Sequence, residues 1–156
     1  MIIFVGGLIG AGKSTIARGM ADHFSFPYYD VDEVKKVVYH QDPDFEKNIA
    51  EGIPFSDELR IEVFRRVFRD LEKLVKTHPH IVVDEALHKR EIRQMLYAEA
   101  RRIAGDFIVI WVQANKDIIR QRLSGKKRSG HILEDPMPLH EAFARQFEDY
   151  HRCVID

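Results

Sequence analysis

A glycine-rich segment near the start of the chain carries residues whose types and spacing suit phosphate chemistry. Residues Gly7 to Ser14, GLIGAGKS, match the pattern G-x-x-x-x-G-K-[ST] at every position. Glycines allow the backbone to turn its N–H groups inward, where they bind anionic oxygen atoms. In this pattern the lysine reaches the β- and γ-phosphates of a nucleotide, and the next hydroxyl ligates Mg²⁺. The segment therefore predicts a binding site for ATP with Mg²⁺.

We expect the whole segment and the residue after it to contact the nucleotide: Gly7, Leu8, Ile9, Gly10, Ala11, Gly12, Lys13, Ser14 and Thr15. Lys13 is also predicted to be catalytic, because its charge would stabilise the phosphoryl group during transfer, and Ser14 is predicted to be a metal ligand. The alternative is a glycine-rich turn without a ligand. A strand-like run before the segment and a helical pattern after it favour the phosphate site.

Carboxylates follow two further strand-like runs. Asp30 and Asp32 lie in YYDVDEV, and Asp84 ends HIVVD. In an extended chain Asp30 and Asp32 would point to the same side, because side chains alternate along a strand. One of the pair could hold the water shell of a metal while the other accepts the proton of an attacking hydroxyl, and Asp84 could hold Mg²⁺ through water. The alternative for the pair is an acidic helix N-terminus, which Asp32 and Glu33 also fit.

The elements that must position these residues alternate along the chain. Short apolar runs predict four buried strands, at Ile2 to Gly6, Pro27 to Asp30, His80 to Asp84 and Asp106 to Val112. Helical spacing predicts helices from Ser56 to His78, with Ile61, Phe64, Phe68, Leu71 and Val75 on its apolar face, and from Lys89 to a stop at Gly105. Alternating strands and helices predict a three-layer α/β fold, a parallel sheet flanked by helices with ligands at the carboxyl ends of its strands.

Composition limits the class of protein. The chain has 156 residues, which suits a single domain over residues 1–156. A hydrophobic content of 45%, a charged content of 31% and a net charge of -1 are typical of a soluble protein without a general affinity for nucleic acid. The single cysteine, Cys153, excludes an internal disulfide and fits a cytoplasmic protein. The sequence contains no run of about 18 apolar residues, so we predict no membrane span.

Several segments together resemble a known family. GLIGAGKST, DVD, AEGIPFSDELR, EALHKREIRQ and RLSGKKRSGHI are similar to motifs of the small P-loop kinases that phosphorylate metabolite hydroxyls, and most similar to those of gluconate kinases. The resemblance implies a P-loop NTPase fold, a region covering the acceptor at about residues 33–58, and a lid at about residues 124–136, after the fourth strand. It implies ATP-dependent transfer to a small anionic metabolite, with a gluconate-like sugar acid favoured, by a monomer or homodimer.

Individual roles follow from the resemblance. It makes Asp32 the catalytic base and Asp30 the carboxylate on the metal side. It makes Arg122 a nucleotide contact that packs on adenine. It also implies an acceptor clamp of Arg60, Arg90 and Arg93, and a cationic lid of Lys126, Lys127 and Arg128 in which Lys126 contacts the nucleotide and Arg128 is catalytic. Of the eight histidines, which form no ligand set, it selects only His131, in the lid.

Other acceptors remain open on the same residues. Val31 stands where gluconate kinases carry the glycine of DGD, and IVVDEA resembles the VVDATN of kinases that include polynucleotide kinases and zeta-type toxins. GLIGAGKSTIA also resembles adenylylsulfate kinases. The alternatives are adenylylsulfate, shikimate, a nucleotide or a polynucleotide 5′-hydroxyl as acceptor, or a nucleotide-binding regulatory module without catalysis. After the lid we expect one helix, followed by a very short strand near Cys153 to Ile155 or by nothing further in a truncated chain.

Overall fold

The described part of the protein is most of the chain. The computed structural model describes residues 1–51, 53, 55–123, 137–145 and 147. The predicted lid, with Lys126, Lys127, Arg128 and His131, lies outside these residues, as does the predicted short strand at Cys153 to Ile155. Within the described residues, no helix is long and apolar enough to cross a membrane.

Within the described residues, four parallel strands form the sheet, as the sequence predicted. They are β1 (Ile2–Gly6), β2 (Tyr28–Asp30), β3 (Ile81–Asp84) and β4 (Phe107–Trp111), in the spatial order β2-β3-β1-β4. The register pairs Val5 with Asp84 between β1 and β3, and Asp30 with Asp84 between β2 and β3. Because all the strands are parallel, their carboxyl ends lie at one edge, and the predicted carboxylates of β2 and β3 are adjacent there.

Within the described residues, five helices lie between the strands and two follow β4. They are α1 (Lys13–Phe24), α2 (Val31–Tyr39), α3 (Phe45–Glu51), α4 (Asp57–Leu74) and α5 (Arg90–Ala104), and then α6 (Lys116–Leu123) and α7 (Met137–Arg145). The predicted cap of α4 is confirmed, since the Ser56 hydroxyl accepts from the Leu59 N–H at 3.3 Å. α4 ends at Leu74, four residues before the predicted end, and Gly105 ends α5 as predicted.

The core has two parts, one on each face of the sheet. Ile2 and Phe4 pack into the larger part with residues of α2, α4 and α5, whereas Ile3 and Val5 pack with Ala17 and Ala21 of α1. This alternation along β1 is what a strand buried on both faces requires, and it confirms the three layers. One helix-face prediction is wrong: Ile61 of α4 is 56% exposed, and Val63 and Val67 are buried instead.

Candidate active site

The phosphate segment forms the loop between β1 and α1, as predicted. Gly12 precedes α1 with φ 100° and ψ 15°, and Gly10 has φ 84°, so both lie in the left-handed region that side chains disfavour. Gly7 is required for space, because a Cβ atom there would lie 2.5 Å from the carbonyl oxygen of Val112. The loop therefore has glycine where the backbone requires it. It leads into the N-terminus of α1 at Lys13, which is suited to bind an anion.

Two side chains from outside the loop hold its carbonyl groups. Nη1 of Arg122, on α6, donates to the carbonyl oxygens of Gly10 and Ala11, at 3.1 Å each. Nδ1 of His140, on α7, lies 2.7 Å from the carbonyl oxygen of Ile9. Arg122 thus contacts the backbone of the predicted nucleotide loop. His140, to which the sequence analysis assigned no role, contacts the same loop.

Lys13 and Asp84 meet at the end of β3. The Nζ atom of Lys13 lies 3.8 Å from Oδ1 of Asp84, which is 3% exposed. The Tyr28 hydroxyl donates to Oδ2 of Asp84 at 3.0 Å, whereas Oδ1 has no hydrogen-bond partner within the described residues. A buried carboxylate oxygen without a hydrogen bond is costly, and the Lys13 ammonium at 3.8 Å compensates its charge without donating to it, so Asp84 fits the outer shell of a metal site.

A metal at this place would need ligands other than a carboxylate cluster. Among the described residues, no group of three or more His, Cys, Asp or Glu side chains could hold a metal ion. Mg²⁺ in nucleotide loops is held by a hydroxyl, phosphate oxygens and water, with a strand-end aspartate behind them. Ser14 in the first turn of α1 and Asp84 at the end of β3 match that donor set.

The extended conformation expected for Asp30 to Asp32 is wrong, because α2 begins at Val31. Asp30 caps this helix: its Oδ1 accepts from the Asp32 N–H at 2.9 Å, and its Oδ2 accepts from the Tyr28 hydroxyl at 3.2 Å. Burial, and then repulsion from Asp32, raises the pKa of the Asp30 carboxyl. The alternative of an acidic helix N-terminus therefore describes Asp30, and its metal role remains a prediction.

Asp32 lies in the first turn of α2 and contacts Lys35. Oδ1 of Asp32 is 2.9 Å from Nζ of Lys35, and the same Nζ is 2.7 Å from Oε2 of Glu85. Glu85 is buried beside Asp84, whereas the Asp32 side chain is 55% exposed. Burial opposes the charged form of Lys35, but Glu85 and then Asp32 outweigh it and raise the pKa of the ammonium group. The spacing from Asp32 to Lys35 is a signal that sequence reasoning could have used.

The three residues of the predicted arginine clamp, Arg60, Arg90 and Arg93, have different surroundings, and their role stays a prediction. Arg93 is buried, and its Nη1 donates to the carbonyl oxygens of Leu87 at 2.8 Å and His88 at 3.1 Å. Leu87 has φ 56°, a conformation that is unfavourable for leucine, so Arg93 supports a strained loop. Arg60 pairs with Asp57 at 3.1 Å, and Arg90 is exposed at the start of α5.

His88 marks a cationic region next to this loop. Burial, and then the charges of Lys35, Lys89, Arg93 and Arg60 in that order, lowers the pKa of its imidazole to about 4. Its ring stacks on Phe143 of α7, with centroids 3.9 Å apart. Two of the three predicted clamp residues, Arg60 and Arg93, therefore lie near enough to His88 to contribute to the lowering of its pKa, as do two lysines.

Stacked rings lie in the region predicted to cover the acceptor. Tyr39 and Phe55 stack with centroids 4.1 Å apart, and His40 and Phe45 stack at 3.9 Å. Phe45 also lies 5.8 Å from Phe55, which joins the two pairs. The same Tyr39 feels the charges of Lys35 and Arg60, so the aromatic cluster borders the cationic region.

A glycine loop opening a helix, with a buried aspartate at the end of the adjacent strand, defines a P-loop nucleotide-binding protein of the α/β class. The chain belongs to the AAA domain family, whose model matches residues 3–136. Its relatives in this comparison are kinases, and the chain is a P-loop phosphotransferase of that kind.

Two relatives carry different acceptors in their names. An adenylyl-sulfate kinase of Gloeothece citriformis is 30% identical over 143 residues, which cover 86% of this chain and 76% of the relative. A probable gluconokinase of Saccharomyces cerevisiae is 29% identical over 139 residues, or 87% of this chain and 69% of the relative. The crystal structure of a gluconokinase from Sinorhizobium meliloti is similar in fold, with a TM-score of 0.64, 23% identity, and coverage of 95% of this chain and 74% of that one.

Proposed function

We propose that the protein transfers the γ-phosphoryl group of Mg²⁺-bound ATP to a hydroxyl of a small anionic metabolite, with a gluconate-like sugar acid as the first candidate. The observation that carries the proposal is the phosphate loop with Lys13 3.8 Å from the buried Asp84, an arrangement that suits ATP with Mg²⁺ as the donor. For the acceptor, Lys35, Lys89, Arg93 and Arg60 lie near His88; Lys35 and Arg60 are also paired with carboxylates, and the group supplies cationic hydrogen-bond donors that suit an anion. The gluconokinase relatives support the same acceptor class.

The reaction uses groups on both sides of the strand ends. The acceptor hydroxyl oxygen bonds to the γ-phosphorus, the bond from that phosphorus to the β-γ bridging oxygen breaks, and ADP leaves. Asp32 takes the hydroxyl proton, since its carboxylate is partly exposed and has Lys35 on one oxygen. Lys13 stabilises the transferred group, and Mg²⁺, held by Ser14 with Asp84 behind it, would neutralise phosphate charge. The lid residues Lys126 and Arg128 complete the cationic surroundings in this proposal.

Adenylylsulfate is the second candidate acceptor, and one observation favours it. The stacked rings of Tyr39 and Phe55 form an aromatic surface beside the cationic region, and a planar base would pack on such a surface. The relative from Gloeothece citriformis is named for this acceptor. A sugar acid has no planar ring system, so the two candidates make different use of the same surface.

One experiment tests the proposal and separates the candidates. ADP production from Mg²⁺-ATP would be measured alone and with gluconate, other sugar acids, shikimate, adenylylsulfate, nucleoside monophosphates or a 5′-hydroxyl oligonucleotide. We expect a sugar acid to stimulate ADP production. Stimulation by adenylylsulfate alone would mean that adenylylsulfate, and not a sugar acid, is the acceptor. Binding of ATP without stimulation by any acceptor would overturn the kinase proposal in favour of a regulatory module.

A further inference from the structure

Three consecutive carbonyl groups of the phosphate loop are held from outside the loop. His140 contacts the carbonyl oxygen of Ile9, and Arg122 donates to those of Gly10 and Ala11. A carbonyl oxygen only accepts hydrogen bonds, so Nδ1 of His140 must carry the hydrogen in this contact. The ring is 8% exposed and the contact measures 2.7 Å, so water competes little for it.

Holding a carbonyl also directs the N–H group of the next residue. In a trans peptide the C=O and N–H of one peptide unit point in opposite directions. With the Ile9 carbonyl directed at His140, the Gly10 N–H points away from α7; with the Ala11 carbonyl directed at Arg122, the Gly12 N–H points away from α6. Between them, the Ala11 N–H donates to the Leu8 carbonyl at 3.1 Å within the loop.

The two glycine N–H groups are among those available to a ligand. The hydrogen bonds of the described residues include none donated by the backbone N–H of Gly10 or Gly12. Both glycines have left-handed φ values, and peptide units next to glycine rotate more easily than others. Without the external donors, the Ile9–Gly10 peptide unit would adopt several orientations. Binding would then have to order this unit, and the entropy lost would reduce the affinity for phosphate.

We propose that His140 is a positioning residue of the nucleotide site, which acts with Arg122 to fix the loop carbonyls so that the N–H groups of Gly10 and Gly12 face the phosphates. This inference rests on the nucleotide-binding part of the proposed function and does not depend on the acceptor. It also gives α7, which the sequence places after the lid, a direct effect on the donor site.

The test compares His140→Leu with His140→Gln in the full chain. Leucine fills space without a donor, whereas glutamine keeps an N–H group. Dissociation constants for Mg²⁺-ATP and melting temperatures would be measured for both. We expect His140→Leu to weaken Mg²⁺-ATP binding by about three- to tenfold, the value of one neutral hydrogen bond, and His140→Gln to recover most of the affinity. The matched control is His23→Leu, an exposed position on α1, which should leave the affinity unchanged.

Equal affinity of folded His140→Leu and the wild type would overturn the inference and leave the proposed function intact. Absence of Mg²⁺-ATP binding by the wild type would overturn both. If His140→Leu does not fold, amide spectra of the wild type still test the inference. In amide spectra, Mg²⁺-ADP should shift the Gly10 and Gly12 signals more than the Ala11 signal, since the Ala11 N–H already has a partner. The largest shift at Ala11 would contradict the proposed orientation.

Discussion

The Nζ atom of Lys35 lies 2.7 Å from Oε2 and 3.0 Å from Oε1 of Glu85, so one ammonium group donates to both oxygens of a buried carboxylate. Glu85 follows β3 directly, and its side chain is 4% exposed. A carboxylate buried in this way needs its cation, because an uncompensated buried charge is expensive. The same lysine contacts Asp32, and the ion pair thus connects the end of β3 to the start of α2.

Replacing Lys35 is therefore expected to destabilise the protein. Lys35→Gln should lower the free energy of unfolding by about 3 kcal/mol, since Glu85 loses its charged partner. The control is Lys36→Gln, which removes a similar i,i+3 pair whose carboxylate, Glu33, is 64% exposed. That change should cost about 0.5 kcal/mol. Urea denaturation of the three proteins measures both values, and equal losses in the two variants would contradict the importance of the buried pair.

The low pKa of His88 predicts a pH dependence of stability. The pKa of this imidazole is about 4 in the folded protein, against 6.5 for an unperturbed histidine, so folding favours the neutral ring. The unfolded chain then binds the extra proton between these values, and His88 contributes stability above pH 6.5 that is lost as the pH falls towards 4. From pH 7 to pH 5 the loss should be about 1–2 kcal/mol.

The His88→Phe variant isolates this contribution. Phenylalanine keeps the ring that stacks on Phe143 but has no titrating group. The free energy of unfolding would be measured at pH 7 and pH 5 for both proteins. The wild type should lose about 1–2 kcal/mol more than the variant over this interval. The same loss in both proteins would mean that carboxyl groups, and not His88, cause the change.

The proposed base makes a kinetic prediction. Asp32→Asn should reduce turnover with the stimulating acceptor by about 10²- to 10⁴-fold, because the amide cannot take the hydroxyl proton. Affinity for Mg²⁺-ATP should stay within a factor of about two, since the Asp32 side chain is not part of the phosphate loop. The control is Asp22→Asn, an exposed position on α1. Unchanged turnover in Asp32→Asn would remove Asp32 from the role of base.

Arg93 and Arg60 are expected to respond differently to the same change. Arg93→Gln should lower the free energy of unfolding by about 2 kcal/mol, because the carbonyl groups of Leu87 and His88 lose a buried charged donor. Arg60→Gln should change stability by about 0.5 kcal/mol or less, since its pair with Asp57 is exposed. In the proposed function Arg60→Gln raises the KM for the anionic acceptor. Urea denaturation measures the stability of both variants, and steady-state kinetics measures their KM. An Arg93→Gln variant as stable as the wild type would contradict the structural role of Arg93.

The sequence predicted the parts of the structure that depend on local pattern. The four apolar runs became strands, and β1 and β3 are buried along their whole length, whereas Ile108 and Val109 of β4 are exposed against the prediction of a buried strand. The loop from Gly7 to Ser14 follows from glycine conformations that few other residues adopt. These features need only neighbours along the chain. The start of α2 at Val31 was only an alternative in the sequence analysis, because an aspartate such as Asp30 can end a strand or cap a helix and fits either interpretation.

The remaining features join residues that are far apart in the sequence. Lys35 and Glu85 are 50 positions apart, and His140 lies 131 positions from Ile9. No local pattern reports such contacts. Arg93 shows the same limit, because its position on a helix after the strand suits an acceptor contact equally well. Its guanidinium donates to the carbonyl of Leu87, a residue whose left-handed backbone no local pattern predicts.

The hydroxyl of Tyr28 has a single proton but two carboxylates within reach, Asp30 at 3.2 Å and Asp84 at 3.0 Å. It can donate to only one of them at a time. A cation bound at Asp84 would make that carboxylate a weaker acceptor and would favour the hydrogen bond from Tyr28 to Asp30. The cap of α2 and the carboxylate beside Lys13 therefore share one hydrogen-bond donor.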